Sequence, residues 1–275
     1  MSLNDSYAHC DTLLKAQDYD RWLACLFLPA NSRKHAHALY AFSSEIARVR
    51  DSVREALPGE IRLQYWRDVL NAESSDNPVA AALLDTVKSF RLPLAPLQNL
   101  IDARVADLYD DGFATQNDLE GYCGETCSVL FQLVAMVAGG EANSLSEAAG
   151  HAGVAYAMGG LLSILPVHQA RGQCYLPETH LKKHDLARED IGKPESVKQL
   201  LSVLLDMTAL AQDHLQKAQS AIAALPPNVR PAFLPLALVH KKLESIIKNP
   251  DPARTLSTVA GWRKILALWL ASTRT

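Results

Sequence analysis

The chain has 275 residues, of which 48% are hydrophobic and 21% charged, and its formal net charge is -3. That length buries a full core without forcing a second unit, and the charge excludes the basic footprint that a nucleic-acid binder needs. Aromatic residues are only 7%, and Ala and Leu outweigh the β-branched types, a balance that favours helix over sheet.

Helical periodicity recurs along the whole chain with clear punctuation. A first helix is expected through Tyr7 to Phe27, stopping near Leu28-Pro29. A second, capped by Asn31 or Ser32, carries Leu39, Phe42, Ile46 and Val49 and stops at Pro58-Gly59. A third contains Ile61 to Leu70, and Asn77-Pro78 opens a fourth. A fifth covers Leu97 to Tyr109, and a sixth starts at Thr115 or Asn117 and ends at Gly139-Gly140. Ser144 and Glu147 fit a capping box for a seventh, which carries Gly150, Gly153, Gly159 and Gly160. Interior glycines of that kind mark close packing or a bend. Arg171-Gly172 to Pro177 reads as a loop. A long helix from about Glu195 to Leu225 follows, then two more over Val229 to Ile247 and Leu256 to Leu270. Alternation of the strand type is rare, and neither a repeat nor a linker is visible. The expectation is one all-α bundle of about ten helices over residues 1–275.

The N-terminus carries Asp5, His9 and Asp11 where a secretory signal needs a basic start and an apolar run. The strongest apolar stretch, Val129 to Gly139, contains Gln132 and is too short to span a bilayer. A soluble or peripheral protein is expected. Five cysteines, Cys10, Cys25, Cys123, Cys127 and Cys174, are odd in number and lack C-x-x-C spacing, which fits a reduced cytoplasmic setting. Cys123 and Cys127 share a helix face as zinc ligands can, but no second pair completes a tetrahedral site. Buried small hydrophobes are the simpler reading. His35 and His37 face different sides of a helix and cannot jointly hold a metal.

Five stretches, in order, resemble the squalene/phytoene synthase family. They are Leu28-Pro29-Ala30-Asn31-Ser32-Arg33 with Tyr40-Ala41-Phe42, then Gly59 to Asp68, then Arg171-Gly172 with Tyr175-Leu176-Pro177. His214-Leu215 with Leu225-Pro226 and Arg230-Pro231-Ala232 follows, and Trp262-Arg263-Lys264 closes the set. The resemblance implies a helical bundle of the isoprenoid synthase type, and an activity that condenses two prenyl diphosphates head to head. That activity rests on two aspartate-rich motifs holding magnesium, which wants several oxygens in near-octahedral array.

The motifs depart from that pattern. Where the family shows an aspartate pair and a third aspartate, this chain has Ala47, Arg48 and Asp51, with Glu45 one turn earlier. Glu45, Arg48 and Asp51 read as a ladder of alternating sign, internally paired. The second motif is Ser163 to Ala170, which contains Pro166 and His168 but no carboxylate. No bound metal is expected, and magnesium only if the chain is an enzyme after all. The variant first motif is most similar to a branch resembling the mitochondrial assembly factor for respiratory complex I. That branch implies a binding role, with complex I subunits or assembly proteins as partners, a prenyl diphosphate or lipid as ligand, and a place at the inner face of the membrane.

The candidate binding residues are Arg33, Tyr40, Arg48, Arg62, Tyr65 and Arg171, with Asp51 and Glu45 as catalytic remnants. Arg33, Arg62, Gln64, Tyr65, Arg67 and Asp68 line a polar mouth, or the Arg62 to Asp68 segment makes buried ion pairs and packing contacts on one helix. Asp107 matches a family aspartate or simply pairs with Arg104. His168 is a pocket base or a solvated loop histidine. An apolar cavity is expected between the Tyr40 helix and the glycine-rich helix. In the enzyme alternative, Arg48, Arg33 and Arg171 bind diphosphate directly in place of metal.

Overall fold

Side-chain caps set most of the helix starts. The computed structural model describes residues 2–109, 111–248 and 260–273. Ser2 and Asp5 form a reciprocal capping box that opens α1 (Leu3–Gln17). Asp18 then leaves helical geometry and accepts from the Arg21 amide, so α2 (Tyr19–Cys25) begins anew. The single helix expected from Tyr7 to Phe27 is therefore two. α3 (Ala30–Ala47) starts after Pro29, with neither Asn31 nor Ser32 as its cap. The Ser32 hydroxyl instead donates to the Val137 carbonyl, 2.9 Å away in the core.

A 3-10 turn (Arg50–Ser52) leads to α4 (Ala56–Leu70), which runs through Pro58-Gly59 rather than ending there. A proline in the first turn needs no amide hydrogen, because those amides have no partner within the helix. Asn77 accepts from the Val79 and Ala80 amides and opens α5 (Pro78–Phe90), as its sequence signal predicts. α6 (Ala95–Ala106) follows. The Thr115–Asp118 capping box opens α7 (Gln116–Cys123), which continues through a π-helical turn (Gly124–Ser128) into α8 (Val129–Val137). Gly139, at φ +96°, closes that run.

α9 (Ala142–Ser163) starts two residues before the expected Ser144–Glu147 box, which does not form; the Ser144 hydroxyl donates to the Glu141 carbonyl. Pro166 sits in the first turn of a short α10 (Leu165–Ala170). α11 (Glu178–Lys183) is a helix that periodicity did not reveal. The long α12 (Val197–Ala223) comes next. Val229 to Ile247 splits into a 3-10 turn (Arg230–Phe233) and α13 (Leu236–Lys248), and α14 (Gly261–Ser272) is the last element. The start expected for it at Leu256 lies outside the described residues. No β-strand occurs among the described residues.

α9 lies at the centre, against α12, α8, α13 and the π turn. Its glycines make this possible. A methyl group on Gly153 would overlap the Ser128 backbone, and one on Gly159 would press on Val239. One continuous core extends from Tyr7 to Ile246, and a smaller cluster of Leu23, Ala24, Leu234, Leu238, Ala267 and Leu268 pins α14 against α2 and α13.

Gly153→Ala is expected to destabilise the fold by about 2–3 kcal/mol through overpacking against immovable backbone. Gly150→Ala, where an added methyl meets nothing within 4 Å, should instead be neutral or stabilising by up to about 1 kcal/mol. Paired urea denaturation curves check both.

Candidate functional site

The end of α3 delivers three of the candidate residues to one place. Glu45 lies in its last turn, Arg48 is its C-cap, and Asp51 sits on the 3-10 turn that follows. α4 faces them with Arg62, Tyr65 and Trp66. Together with Val49, Ser52 and Asn77 they line an open polar cavity of about 440 Å³. Arg62 donates to the Ser52 hydroxyl. Trp66 packs edge-on against Phe42, anchoring the floor to the core.

Arg171, from the loop after α10, donates to Asp51 at 2.5 Å. Both side chains are about half exposed. Two stretches far apart in sequence, the end of α3 and the loop after α10, thus meet through an ion pair. The expected Glu45–Arg48–Asp51 ladder does not form, because helical geometry stops at Ala47 and Asp51 turns toward Arg171. Arg48 makes no ion pair among the described residues.

Asp107 is buried and fully engaged. It accepts from Arg104 at 2.9 Å, from the Tyr122 hydroxyl at 2.7 Å and from the Tyr175 hydroxyl at 3.0 Å. Burial, with the carboxylate beside them, pushes both phenols above their ordinary range, so both remain protonated donors. His168 lies on α10, 7% exposed, with its ring against Tyr175 at 4.7 Å. It is not a solvated loop residue. Burial, and then the Arg171 charge, lower its pKa and keep it neutral.

Two candidates lie elsewhere. Arg33 is in the first turn of α3 and donates to the Leu26 and Leu28 carbonyls. The rise of an α-helix puts it roughly 22 Å along the axis from Arg48. Tyr40 is 2% exposed, inside the bundle. The Arg21 guanidinium lies between its ring and that of Tyr156, 4.9 and 4.6 Å from their centroids, and reaches Asp18 at 3.3 Å. The sequence reading missed Arg21; nothing but its place on an otherwise apolar helix face hinted at burial. Arg67 pairs with Asp102 and Gln64 with Asp68 along the α4 surface, away from the mouth.

A separate apolar space between α7, α9, α10 and α12 is nearly closed. Leu119, Met158, Leu161, Leu162, Leu165 and Met207 bound a slit of about 10 Å³, room for at most about one water. Between the Tyr40 helix and the glycine-rich helix, where the apolar cavity is expected, the Arg21 guanidinium packs against Tyr40 and Tyr156. Cys123 and Cys127 are both buried, and no group of three or more His, Cys, Asp or Glu among the described residues is placed to hold a metal ion.

The family model for squalene/phytoene synthase matches residues 14–265, and the chain belongs to that family. It is 33% identical over 246 residues to NADH dehydrogenase (ubiquinone) complex I, assembly factor 6, of Rattus norvegicus, covering 88% of this chain and 74% of that protein. It is 22% identical over 290 residues to 15-cis-phytoene synthase of Synechococcus elongatus, covering 99% and 94%. A crystal structure of a dehydrosqualene synthase in complex with ligand superposes with a TM-score of 0.86 at 17% identity, covering 99% of this chain and 97% of that one. The fold is therefore the isoprenoid synthase bundle that the motifs implied.

Asp107→Ala should cost about 3–5 kcal/mol, because it strands the buried Arg104 charge, whereas Asp51→Ala breaks a half-exposed pair and should cost about 1 kcal/mol or less. Thermal or chemical unfolding of the two variants separates them.

Four buried histidines, His35, His37, His168 and His214, have pKa values lowered from 6.5, chiefly by burial. The unfolded chain then binds more protons in acid, so their contribution is full above that value and lost as pH falls below it. Stability measured from pH 8 to pH 5 should decline in the acid half.

Proposed function

We propose that this chain is a non-catalytic member of its family that supports assembly of respiratory complex I by binding, at the inner face of the membrane. The observation that carries the reading is that Asp51, the one carboxylate left of the first motif stretch, faces Arg171, while Ser163 to Ala170 supplies no carboxylate. Magnesium there would supply charge neutralisation for a departing diphosphate, and it needs several free carboxylate oxygens. Asp51 faces Arg171, Asp107 accepts from three donors, and Arg48 presents a cation where a metal would sit. The residues present do not fit the metal cluster. The similarity to complex I assembly factor 6 supports the same direction, and its subunits or other assembly proteins are the partners we assign.

A second reading is favoured by one observation. Arg48 and Arg62 line a cavity of about 440 Å³ that is open and polar. Arginine binds diphosphate bidentately without metal, so this mouth suits a prenyl diphosphate or another anionic headgroup, held with or without turnover.

Purified protein incubated with farnesyl or geranylgeranyl diphosphate should release no pyrophosphate, with or without magnesium. Losing even a few kcal/mol of leaving-group stabilisation slows such a step by roughly a hundredfold or more. Deleting the gene in its host should lower the amount of assembled complex I on native gels. Magnesium-dependent formation of squalene, phytoene or a cyclopropyl intermediate, abolished by Asp51→Ala, would restore the enzyme reading.

A further inference from the structure

α14 is apolar on two sides. Ala267 and Leu268 face inward, onto Leu23, Ala24, Leu234 and Leu238. Trp262, Ile265, Leu266 and Trp269 recur at helical spacing on the outer side, and remain 63, 46, 46 and 54% exposed. A helix apolar all round is ordinarily buried, so this outer stripe asks for a cover.

Three features say what covers it. The helix carries Arg263 and Lys264 and not one acidic residue. The neighbouring α13 adds Lys241, Lys242 and Lys248; Asp20 of α2 pairs with Lys264 and Lys242, and Glu244 with Lys248, so five cations face two acids and the corner stays cationic around an apolar centre. Second, two of the four exposed side chains are tryptophans, seven residues apart, and indole favours the boundary between headgroups and acyl chains. Third, an apolar groove of about 530 Å³ opens beside the stripe, walled by Ile222, Phe233, Leu234, Leu236 and Leu270, with Lys241 at its rim. Its size and lining suit an acyl chain whose anionic headgroup stays at the edge. No helix among the described residues is long and apolar enough to cross a membrane, so the contact is one of lying on the surface.

We propose that α14 docks this protein on an anionic phospholipid bilayer, with Trp262, Ile265, Leu266 and Trp269 in the interfacial layer. The proposal rests on the membrane-face placement made above and names the surface that achieves it. It does not depend on complex I, so the two can fail separately.

The test is flotation of the full-length protein with vesicles of phosphatidylcholine alone, or mixed with phosphatidylglycerol in equal parts. Wild type should float with the mixed vesicles and release as salt is raised. The double variant Trp262→Ser with Trp269→Ser should bind about tenfold more weakly or less. Both positions are exposed, so an unchanged circular dichroism spectrum is expected. The control, Leu57→Ser with Ile61→Ser, removes comparable exposed apolar surface from α4 and should leave binding unchanged. Failure of wild type to float, or equal loss in the control, overturns the proposal. So does a wild type that light scattering finds dimeric and the tryptophan variant monomeric, which would assign the stripe to a second copy of this chain.

Discussion

The approach of α9 to the π turn at Gly153 is the constraint on which the rest of the bundle depends. Ser128 fills the space that any larger residue would need, and its hydroxyl donates to the Gly150 carbonyl. With α9 held there, α12 and α13 stack on its other faces, the latter against Gly159. The end of α9 then fixes where α10 begins, and α10 and its loop place His168 and Arg171. The partner that Asp51 finds, Arg171, is thus carried by the α9–α10 run, while the mouth itself is built by α3, the 3-10 turn and α4.

Two carboxylates, Asp51 and Asp107, find their partners within the protein. Arg171 takes Asp51, and Arg104 with two tyrosines takes Asp107. These arrangements differ in depth and hence in energy. The exposed pair contributes little and can open readily, while the buried cluster is costly to break because each member's desolvation is compensated only by the others.

Much of this was legible in the sequence, and the failures have physical causes. Asn77 and Thr115 announced their helices because a side-chain oxygen near free amides is a local signal. Asp18 did not, since one residue leaving helical geometry barely disturbs a hydrophobic period. Pro58-Gly59 was read as a stop, although proline is tolerated in a first turn. The motif order identified the family and brought Glu45, Arg48, Asp51, Arg62, Tyr65 and Arg171 to one neighbourhood. The partner of Asp51 was misjudged, because spacing along a helix says nothing once the helix has ended. Arg33 and Tyr40 were misplaced for a related reason: neither the far end of a helix nor the depth of a ring is written in linear order.

The buried Arg21 has a bearing on how this interior moves. Its guanidinium stays charged under all ordinary conditions, with burial opposed by the rings of Tyr40 and Tyr156, by Asp18 and by Cys127 nearby. A neutralisable residue in that place would let the centre loosen with a change of pH, but this one cannot. Opening the bundle between α3, α9 and the π turn means withdrawing α2 bodily, with Asp18 travelling as its counterion. Arg21 thus acts as a fixed charge in the interior, tying α2 to α3, α9 and the π turn at every pH in the ordinary range.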